Sequence, residues 1–313
     1  MNFKNKHILS ARQFNKNDIV SLCKEAEEME KILNKKMNSK ILDGKILATL
    51  FYEPSTRTRF SFETAMIRLG GSVISGADMI NNSSAKKMES LCDTGKVVSQ
   101  MADVIAIRHF EKDSAKNLSE FSKVPVINAG DDSNEHPTQA LLDFYTIWKE
   151  FKGKIDKLQI GIIGDLKYGR VPHSQAILFQ NFNVKLFFIS PKGLKMPSEI
   201  LAELKKNKVS YAEGENLCDF ISDLDVIAMT RVQKERFSSE KEYEKYAGSY
   251  VLDGKLMKKA KAKAIIIHAL PRVNEISVEV DKDPRAKYFE QVKNGVAMRM
   301  ALFKAVLKGH IIC

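Results

Sequence analysis

The chain has 313 residues, of which 44% are apolar and 28% are charged. This composition is that of a folded soluble protein, and it excludes intrinsic disorder and collagen-like structure. The formal net charge of +11 leaves three explanations open: nucleic-acid binding, an anionic substrate, or a lysine-rich surface. Aromatic residues are not interleaved with the basic ones, and no zinc-finger spacing occurs, so nucleic acid is the weakest of the three.

The length predicts about two domains of ~150 residues each. No apolar run approaches the ~20 residues that cross a bilayer, and the first residues lack the pattern of a secretory signal peptide. The cysteines lie far apart without a C-x-x-C pair, which predicts no zinc or redox site and favours a reducing cytoplasm. They are Cys23, Cys92, Cys218 and Cys313.

Strand and helix patterns alternate through the first half of the chain. Residues 18–33 carry apolar side chains at the spacing of an amphipathic helix. A second helix is predicted from about residue 56 to Leu69, where Gly70-Gly71 provides the expected end. Further helices are predicted at 89–101 and 138–151, and strands at 45–52, 72–75, 104–108 and 124–129.

A second alternating set begins near residue 153. Strands are predicted at 158–164, 184–190, 225–230 and 264–268, and helices at 172–182, 197–207 and 294–308. The sequence thus predicts an α/β protein with two domains, each a central parallel sheet flanked by helices, and an active site in the interdomain cleft. The predicted domains are residues 1–150 and 151–293, with a C-terminal helix at 294–313 that packs back on the first.

A run of hydroxyl and guanidinium groups follows the first predicted strand. Backbone N–H groups at a helix N-terminus, with hydroxyls and a guanidinium, form a receptor for an oxyanion such as phosphate. The alternative is a simple N-cap with an outward arginine, which explains one hydroxyl but not several polar residues in succession. The run consists of Ser55, Thr56, Arg57, Thr58 and Arg59.

Two other segments of the first half end strands with candidate ligand-binding side chains. Arg108 ends one strand, where it either reaches the same anion or forms a surface salt bridge. His136 and Gln139 are three residues apart at a helix start, so they face one side. Together they are suited to a carbonyl oxygen and an NH₂ of one small ligand; the alternative is a capping histidine.

The second half places cations after its strands. The segment 164–170 superficially matches a P-loop, but Arg170-Val171 stands where that motif needs Lys-Ser/Thr. Nucleotide binding is therefore disfavoured, and Arg170 is left as a cation at the edge of the domain. Arg231 and Gln233 point the same way if their segment is extended.

The last predicted strand ends at His268 against Pro271, and Leu270 between them offers a carbonyl. One half of the chain therefore offers a phosphate receptor, while the other offers guanidinium groups that grip carboxylates bidentately. This combination indicates group transfer between two small anions. No Cys/His/Asp cluster indicates a metal and no Ser-His-Asp order indicates a hydrolase, so neither metal nor cofactor is expected.

These motifs resemble the transcarbamoylase family. The runs FYEPSTRTRFSFETAMIRLGG from Phe51 and HPTQALLDFYTI from His136 are similar to the family as a whole. DLKYGR from Asp165, TRVQKER from Thr230 and HALPRVNEI from His268 resemble the members that use aspartate as the acceptor. Ornithine-specific members resemble H-C-L-P at the last motif, and Ala269 removes that cysteine. The similarity extends nearly end to end.

The resemblance implies transfer of the carbamoyl group of carbamoyl phosphate to the α-amine of L-aspartate, giving N-carbamoyl-L-aspartate and phosphate in pyrimidine synthesis. Carbamoyl phosphate would be bound by Ser55, Thr56, Arg57, Thr58, Ser83, Arg108, His136, Gln139, Leu270 and Pro271. L-Aspartate would be bound by Lys87, Arg170, Arg231 and Gln233. The catalytic groups would be Arg57, Thr58, Lys87, Arg108 and His136.

The resemblance also implies partners. Ser83 and Lys87 would enter a neighbouring subunit's site, which implies a homotrimer with shared active sites, although residues 81–87 by themselves predict only a polar loop. Members of this length pair with a separate zinc-containing regulatory chain or work as bare trimers, and both remain open. The alternative function is a catalytically silent anion-binding or scaffolding subunit, which the intact set of cations disfavours. Neither a nucleic acid nor a membrane is an expected partner.

Overall fold

A computed structural model describes residues 3–309. The chain forms two compact units. One unit contains the chain up to Tyr145 together with the segment from Val292 onward, and the other contains Thr146–Gln291.

The first unit is built on a parallel sheet. Its elements in chain order are α1 (Lys16–Asn34), β1 (Ile46–Phe51), α2 (Thr56–Arg68), β2 (Ser72–Ala77), α3 (Met79–Asn82), α4 (Leu91–Val98), β3 (Val104–His109), α5 (Ser114–Ser119), β4 (Val126–Asp131) and α6 (Pro137–Glu150), of which α6 continues into the second unit. Four strands pair in parallel in the order β2-β1-β3-β4. The strands β1, β3 and β4 are almost wholly buried, as expected for strands covered on both faces, whereas the edge strand β2 is largely exposed.

The second unit repeats this architecture with five strands. Its elements are β5 (Gln159–Ile163), α7 (Arg170–Phe179), β6 (Lys185–Ile189), α8 (Ser198–Lys206), β7 (Ser210–Gly214), β8 (Val226–Met229), α9 (Glu240–Glu244), α10 (Gly254–Met257) and β9 (Ile265–His268). The strands pair in parallel in the order β7-β6-β5-β8-β9. The last helix, α11 (Glu290–Lys308), begins at the end of this unit and continues in the first.

Each sheet is held by an apolar core made from its own strands and helices. In the first unit, Leu50 and Ile105 pack with Leu118 of α5. In the second, Ile227 and Ile266 belong to a larger cluster. Because these side chains are close-packed, the carboxyl ends of the strands are held in fixed positions relative to one another within each unit.

The prediction of two α/β domains, each with a central parallel sheet flanked by helices, is confirmed. The helix predicted at 89–101 is shorter, since the Ser90 side chain caps it at the Asp93 N–H and it ends at Val98. The predicted polar loop at 81–87 instead contains the end of α3 and a 3₁₀ turn, Ser84–Lys87. Strand β7 is missing from the prediction because it is a polar edge strand without a clear apolar pattern.

Candidate active site

The anion-receptor run lies at the junction of β1 and α2. Ser55 is the N-cap residue, yet among the described residues its side chain makes no capping hydrogen bond. The N-cap alternative therefore does not account for this hydroxyl. The backbone N–H groups of the first turn have no partner within the helix, so a helix start of this kind favours an anion. Thr58 is buried, while Arg57 is only partly exposed.

The second arginine of the run has a different task. The Arg59 guanidinium donates to the Ser75 hydroxyl at 3.1 Å, and that hydroxyl donates to Glu63 at 2.6 Å. Thr49 also donates to Glu63, at 3.1 Å. These contacts tie α2 to β1 and β2, so Arg59 stabilises the local fold.

Arg108 lies in β3, beside the end of β1. Phe51 is its partner in the parallel register, and the Tyr52 N–H donates to the Arg108 carbonyl at 2.9 Å. The Arg108 Nε lies 3.3 Å from a carboxylate oxygen of Glu53, which neutralises part of its charge. The neighbouring His109 has a structural environment: its Nδ1 accepts from the Glu111 N–H, and burial lowers its pKa.

A buried carboxylate shapes the loop that carries His136. Asp131 accepts hydrogen bonds from the side-chain amides of Asn128 and Asn134 and from the backbone N–H of Glu135. The Glu135 side chain is itself buried and accepts from Ser10, Ala11 and Arg12 of the N-terminal segment. His136 follows directly and is also buried, so its position is set by this network rather than by a helix cap alone.

The candidate residues of the first unit gather at one edge of its sheet. The receptor run follows β1, Arg108 is near the end of β3, and His136 and Gln139 follow β4. The strands β1, β3 and β4 are consecutive neighbours in the sheet. Ligands bind beyond the carboxyl ends of parallel strands in folds of this type, so the topology brings an anion receptor and a carbonyl-binding pair to the same edge.

Ser83 and Lys87 lie beyond the exposed edge strand of that sheet. The Ser83 hydroxyl accepts from the Ala85 N–H and caps the 3₁₀ turn that contains Lys87. Lys87 is exposed. A cation on a short, solvent-facing turn at a sheet edge is available to a second molecule.

In the second unit, Gly164 allows the candidate segments after β5 and β8 to approach each other closely. Gly164 follows β5 with φ +124°, and a Cβ at this position would lie 2.1 Å from the Thr230 carbonyl oxygen. Only glycine permits so close an approach. The segments that begin at Asp165 and at Thr230 are therefore adjacent.

The loop from Asp165 leads into the helix that Arg170 begins. Asp165 is fully buried, and its carboxylate accepts from the Tyr168 N–H at 2.9 Å. Burial raises the pKa of the Asp165 carboxyl, although backbone hydrogen bonds oppose that change. Arg170 is the first residue of α7 and is also buried. The sequence predicts Arg170 at the edge of the domain, and in the structure its side chain is shielded from solvent.

Arg231 lines a cleft together with Tyr243, Tyr250 and Asn274. Its guanidinium forms a double hydrogen bond with Glu235 one turn away. Partial burial opposes ionisation of Glu235, but the Arg231 contact outweighs it and lowers the pKa of that carboxyl. Gln233 precedes the 3₁₀ turn Lys234–Arg236.

The Leu270–Pro271 segment is held by a histidine–glutamate pair that the sequence did not predict. His268 Nδ1 accepts from the Leu270 N–H, and its Nε2 lies 2.7 Å from Glu275. The other Glu275 oxygen accepts from the backbone N–H groups of Val273 and Asn274. The buried pair thus fixes the turn from both sides. A glutamate seven residues after a strand-ending histidine was its only signal in the sequence.

We expect Glu275→Gln to reduce the free energy of unfolding at pH 7 by about 1–3 kcal/mol, because it weakens three hydrogen bonds in a buried turn. Burial alone raises the pKa of Glu275, but the His268 contact outweighs it and places that pKa below the ordinary 4.5. The stabilisation is therefore present above the unfolded pKa of about 4.5 and is lost as the pH falls below it.

Denaturant unfolding at pH 7 and pH 3 measures this difference. The wild-type advantage over Glu275→Gln should be large at pH 7 and should shrink at pH 3. Glu290→Gln, at a 66% exposed carboxylate, is the control and should change little at either pH. An equal loss at both values would contradict the ionic role of Glu275.

Two absences apply to the described residues. Between residues 3 and 309, the structure contains no group of three or more His, Cys, Asp or Glu side chains arranged to hold a metal ion. No helix in this same part of the chain is long and apolar enough to cross a membrane.

Known proteins resemble this chain over nearly its whole length. Residues 6–149 match the family model "Aspartate/ornithine carbamoyltransferase, carbamoyl-P binding domain", and residues 156–306 match its "Asp/Orn binding domain". The chain is 49% identical over 306 residues to the aspartate carbamoyltransferase catalytic subunit of Methanocaldococcus jannaschii, covering 97% of this chain and 99% of that one. It is 52% identical over 305 residues to that of Methanococcus vannielii, covering 97% and 98%.

Solved structures show the same similarity. Aspartate transcarbamoylase from Trypanosoma cruzi, in complex with carbamoyl phosphate and aspartate, matches with a TM-score of 0.92 at 39% identity, covering 97% of this chain and 98% of that one. The catalytic subunit from M. jannaschii matches with a TM-score of 0.87 at 50% identity, covering 96% and 97%. The chain therefore belongs to the aspartate/ornithine carbamoyltransferase family, among its aspartate carbamoyltransferase catalytic subunits.

Proposed function

We propose that the chain transfers the carbamoyl group from carbamoyl phosphate to the α-amine of L-aspartate, producing N-carbamoyl-L-aspartate and phosphate for pyrimidine synthesis. The observation that carries the proposal is the sheet edge of the first unit, where a helix start and a guanidinium suited to phosphate adjoin a histidine and an amide suited to a carbamoyl group. The T. cruzi relative, in complex with carbamoyl phosphate and aspartate, supports it.

In the proposed mechanism, the first unit binds carbamoyl phosphate. The hydroxyls and N–H groups from Ser55 to Thr58 hold the phosphate with the Arg57 guanidinium, and Arg108 assists. His136 and Thr58 donate to the carbamoyl oxygen and stabilise the negative charge that grows there during attack. Gln139 contacts the carbamoyl NH₂. The backbone carbonyls of Leu270 and Pro271 complete the proposed ligand set.

The second unit supplies the groups for L-aspartate. Arg170 and Arg231 bind its two carboxylates, because a guanidinium offers two parallel donors to each. Gln233 helps to orient the substrate. The neutral amine then attacks the carbamoyl carbon, and the C–O bond to phosphate breaks. Proximity and charge stabilisation account for the acceleration without a covalent intermediate. The departing phosphate is a suitable acceptor for the amine proton.

A colorimetric assay for carbamoyl aspartate tests the proposal. The purified chain should form this product from carbamoyl phosphate and L-aspartate, and L-ornithine should not replace aspartate. Absence of product, with tight binding of carbamoyl phosphate retained, would favour the silent anion-binding subunit instead.

We further propose that three copies of the chain share their active sites, with Ser83 and Lys87 of each copy entering the site of a neighbour. Support comes from five exposed apolar side chains on β2 and on the elements near it in the chain, which we group as one apolar face: Phe60, Ile67, Ile74, Ile80 and Met88. Their exposed fractions range from 41% for Ile80 to 92% for Met88. An exposed apolar patch beside an unpaired strand edge is typical of a protein–protein interface.

Ile67→Glu should therefore convert the trimer to monomers in sedimentation velocity at micromolar concentration. A carboxylate buried in the apolar face would remain without a partner. Turnover should fall in parallel, because Lys87 would no longer reach a neighbour. Val278→Glu, at a 74% exposed position in the second unit, should leave the trimer intact. A trimeric Ile67→Glu protein would exclude this face as the interface.

A reducing cytoplasm and a regulatory chain are part of the same proposal. The thiols of Cys23, Cys92 and Cys218 are free, which supports a reducing cytoplasm; Cys313 lies outside the described residues. The relatives are named catalytic subunits, which supports a separate regulatory chain, and we propose that this chain is of the zinc-containing kind. Sedimentation with and without such a chain distinguishes a larger complex from a bare trimer.

A further inference from the structure

The carbamoyl-binding candidate Gln139 is fixed by a carboxylate one turn further along α6. Its side-chain Nε2 donates to Asp143 Oδ1 at 2.7 Å. Gln139 is 8% exposed and Asp143 is completely buried. The contact is therefore shielded from water, and a buried hydrogen bond to a charged acceptor is stronger than a neutral one.

This contact determines which end of the amide faces outward. An ionised carboxylate only accepts hydrogen bonds, so Gln139 must direct its NH₂ group toward Asp143. The carbonyl oxygen is then the end of the amide that remains for a ligand. A carbonyl oxygen accepts from an NH₂ group but gains nothing from a methyl group. Such a site distinguishes a carbamoyl group from an acetyl group of the same size.

A buried arginine supplies the opposite charge. Arg299 of α11 is 2% exposed, and its guanidinium donates to the Ser61 hydroxyl of α2 at 2.9 Å and to the Thr138 hydroxyl of α6 at 3.3 Å. It also lies 4.7 Å from the centre of the Phe62 ring. The Arg299 side chain of α11 therefore contacts both α2 and α6, and the first residues of these two helices belong to the candidate carbamoyl phosphate site.

Arg299 remains a cation at neutral pH. Burial lowers the pKa of its guanidinium to about 9, and the negative charge of Asp143 opposes that decrease. Two opposite charges in one dry region each reduce the cost of burying the other. Burial disfavours an ionised carboxylate, and a nearby cation offsets part of that cost. A protonated carboxyl can donate as well as accept, so it would no longer dictate how the Gln139 amide is turned.

We propose, on the basis of the proposed function, that Asp143 and Arg299 are a buried positioning pair that turns the Gln139 carbonyl oxygen toward the ligand and so selects a carbamoyl over an acetyl phosphate. Neither residue touches the substrate. Asp143 acts through the Gln139 amide, and Arg299 acts through the charge of Asp143 and the placement of α2 and α6.

The test compares three anions on the wild-type protein and on Asp143→Asn. Carbamoyl phosphate is measured by its KM, and acetyl phosphate and inorganic phosphate are measured by their inhibition constants. We expect the preference for carbamoyl over acetyl phosphate to fall about tenfold in Asp143→Asn, equivalent to one hydrogen bond. Inhibition by inorganic phosphate should not change, because phosphate has no group for Gln139 to recognise. A merely structural role would not produce this difference.

Asp143→Asn leaves a buried guanidinium without its counter-charge, so the double variant Asp143→Asn/Arg299→Gln is included. The double variant removes both charges, so it should fold even if the single variant fails to fold. It should show the same loss of preference for carbamoyl over acetyl phosphate. Glu150→Gln removes an exposed carboxylate from the end of the same helix and should keep the wild-type ratio.

The outcomes separate this inference from the proposed function. A wild-type protein that forms no carbamoyl aspartate would count against the proposed function. Wild-type turnover with an unchanged preference in a folded Asp143→Asn or double variant would overturn the positioning pair alone. A uniform loss of affinity for all three anions would also overturn it, because that result indicates general damage to the site.

Discussion

Replacing Arg57 with alanine is expected to reduce carbamoyl aspartate formation about a thousandfold while leaving the protein folded. Loss of a preorganised donor at a developing charge has effects of this order. Arg57 belongs to the first turn of α2, and its partly exposed position contrasts with that of the buried Thr58 beside it. No large core contact is lost, so the thermal midpoint should stay near that of the wild type.

The structure provides a matched control on the same helix. Arg68 lies in the last turn of α2 and donates to Asn38 at 3.4 Å, far from the anion receptor. Arg68→Ala should therefore keep wild-type turnover. Arg59→Ala should behave differently from both, because it breaks the Ser75–Glu63 network and lowers the thermal midpoint. Near-normal turnover in Arg57→Ala would refute the assignment of this helix start as the phosphate site.

Mixing two inactive variants is expected to restore activity if the active sites are shared. Arg57→Ala and Lys87→Ala should each be nearly inactive as pure proteins. After the subunits of equal amounts are dissociated and allowed to reassociate at random, a site has an intact Arg57 with probability one half. The neighbour has an intact Lys87 with the same probability. Roughly a quarter of the wild-type activity should therefore return.

The position of Lys87 is the reason for this expectation. It is an exposed cation on a 3₁₀ turn beyond the edge strand β2, beside the apolar face proposed as the interface. Mixing Arg57→Ala with His136→Ala is the control. Both residues of a site would come from one chain, so no site in this mixture would have both intact, and activity should not recover. No recovery in the Arg57→Ala and Lys87→Ala mixture would show that Lys87 acts within its own subunit or not at all.

The pattern of the sequence was sufficient for the fold class. Buried strands such as 45–52 are continuous apolar runs, and helices such as α6 have apolar residues at helical spacing, so local composition is enough to identify them. The sequence pattern did not predict the polar edge strand β7, the short helix α3 or the 3₁₀ turn Ser84–Lys87. Their conformation depends on a neighbouring strand or on single caps, which leave no periodic signal.

The candidate site residues could likewise be predicted only where the local sequence distinguishes them. Ser55–Thr58, Arg108 and His136 could be proposed from the sequence because each follows or ends a strand, where parallel sheets place their ligands. Arg59 could not be separated from Arg57 by sequence, since both are arginines in one motif and only the contact with Ser75 and Glu63 distinguishes them.

The sequence by itself determined the α/β architecture and the family, and it predicted an anion-binding chemistry, because these depend on which residues follow which along the chain. Only the tertiary structure decided which groups support that chemistry. Glu275 holds the Leu270 turn through His268, and the charge of Asp143 acts on Arg299, which lies about 150 residues further along the chain. Buried charges are stable only beside partners that packing brings to them, and distance along the chain does not reveal those partners.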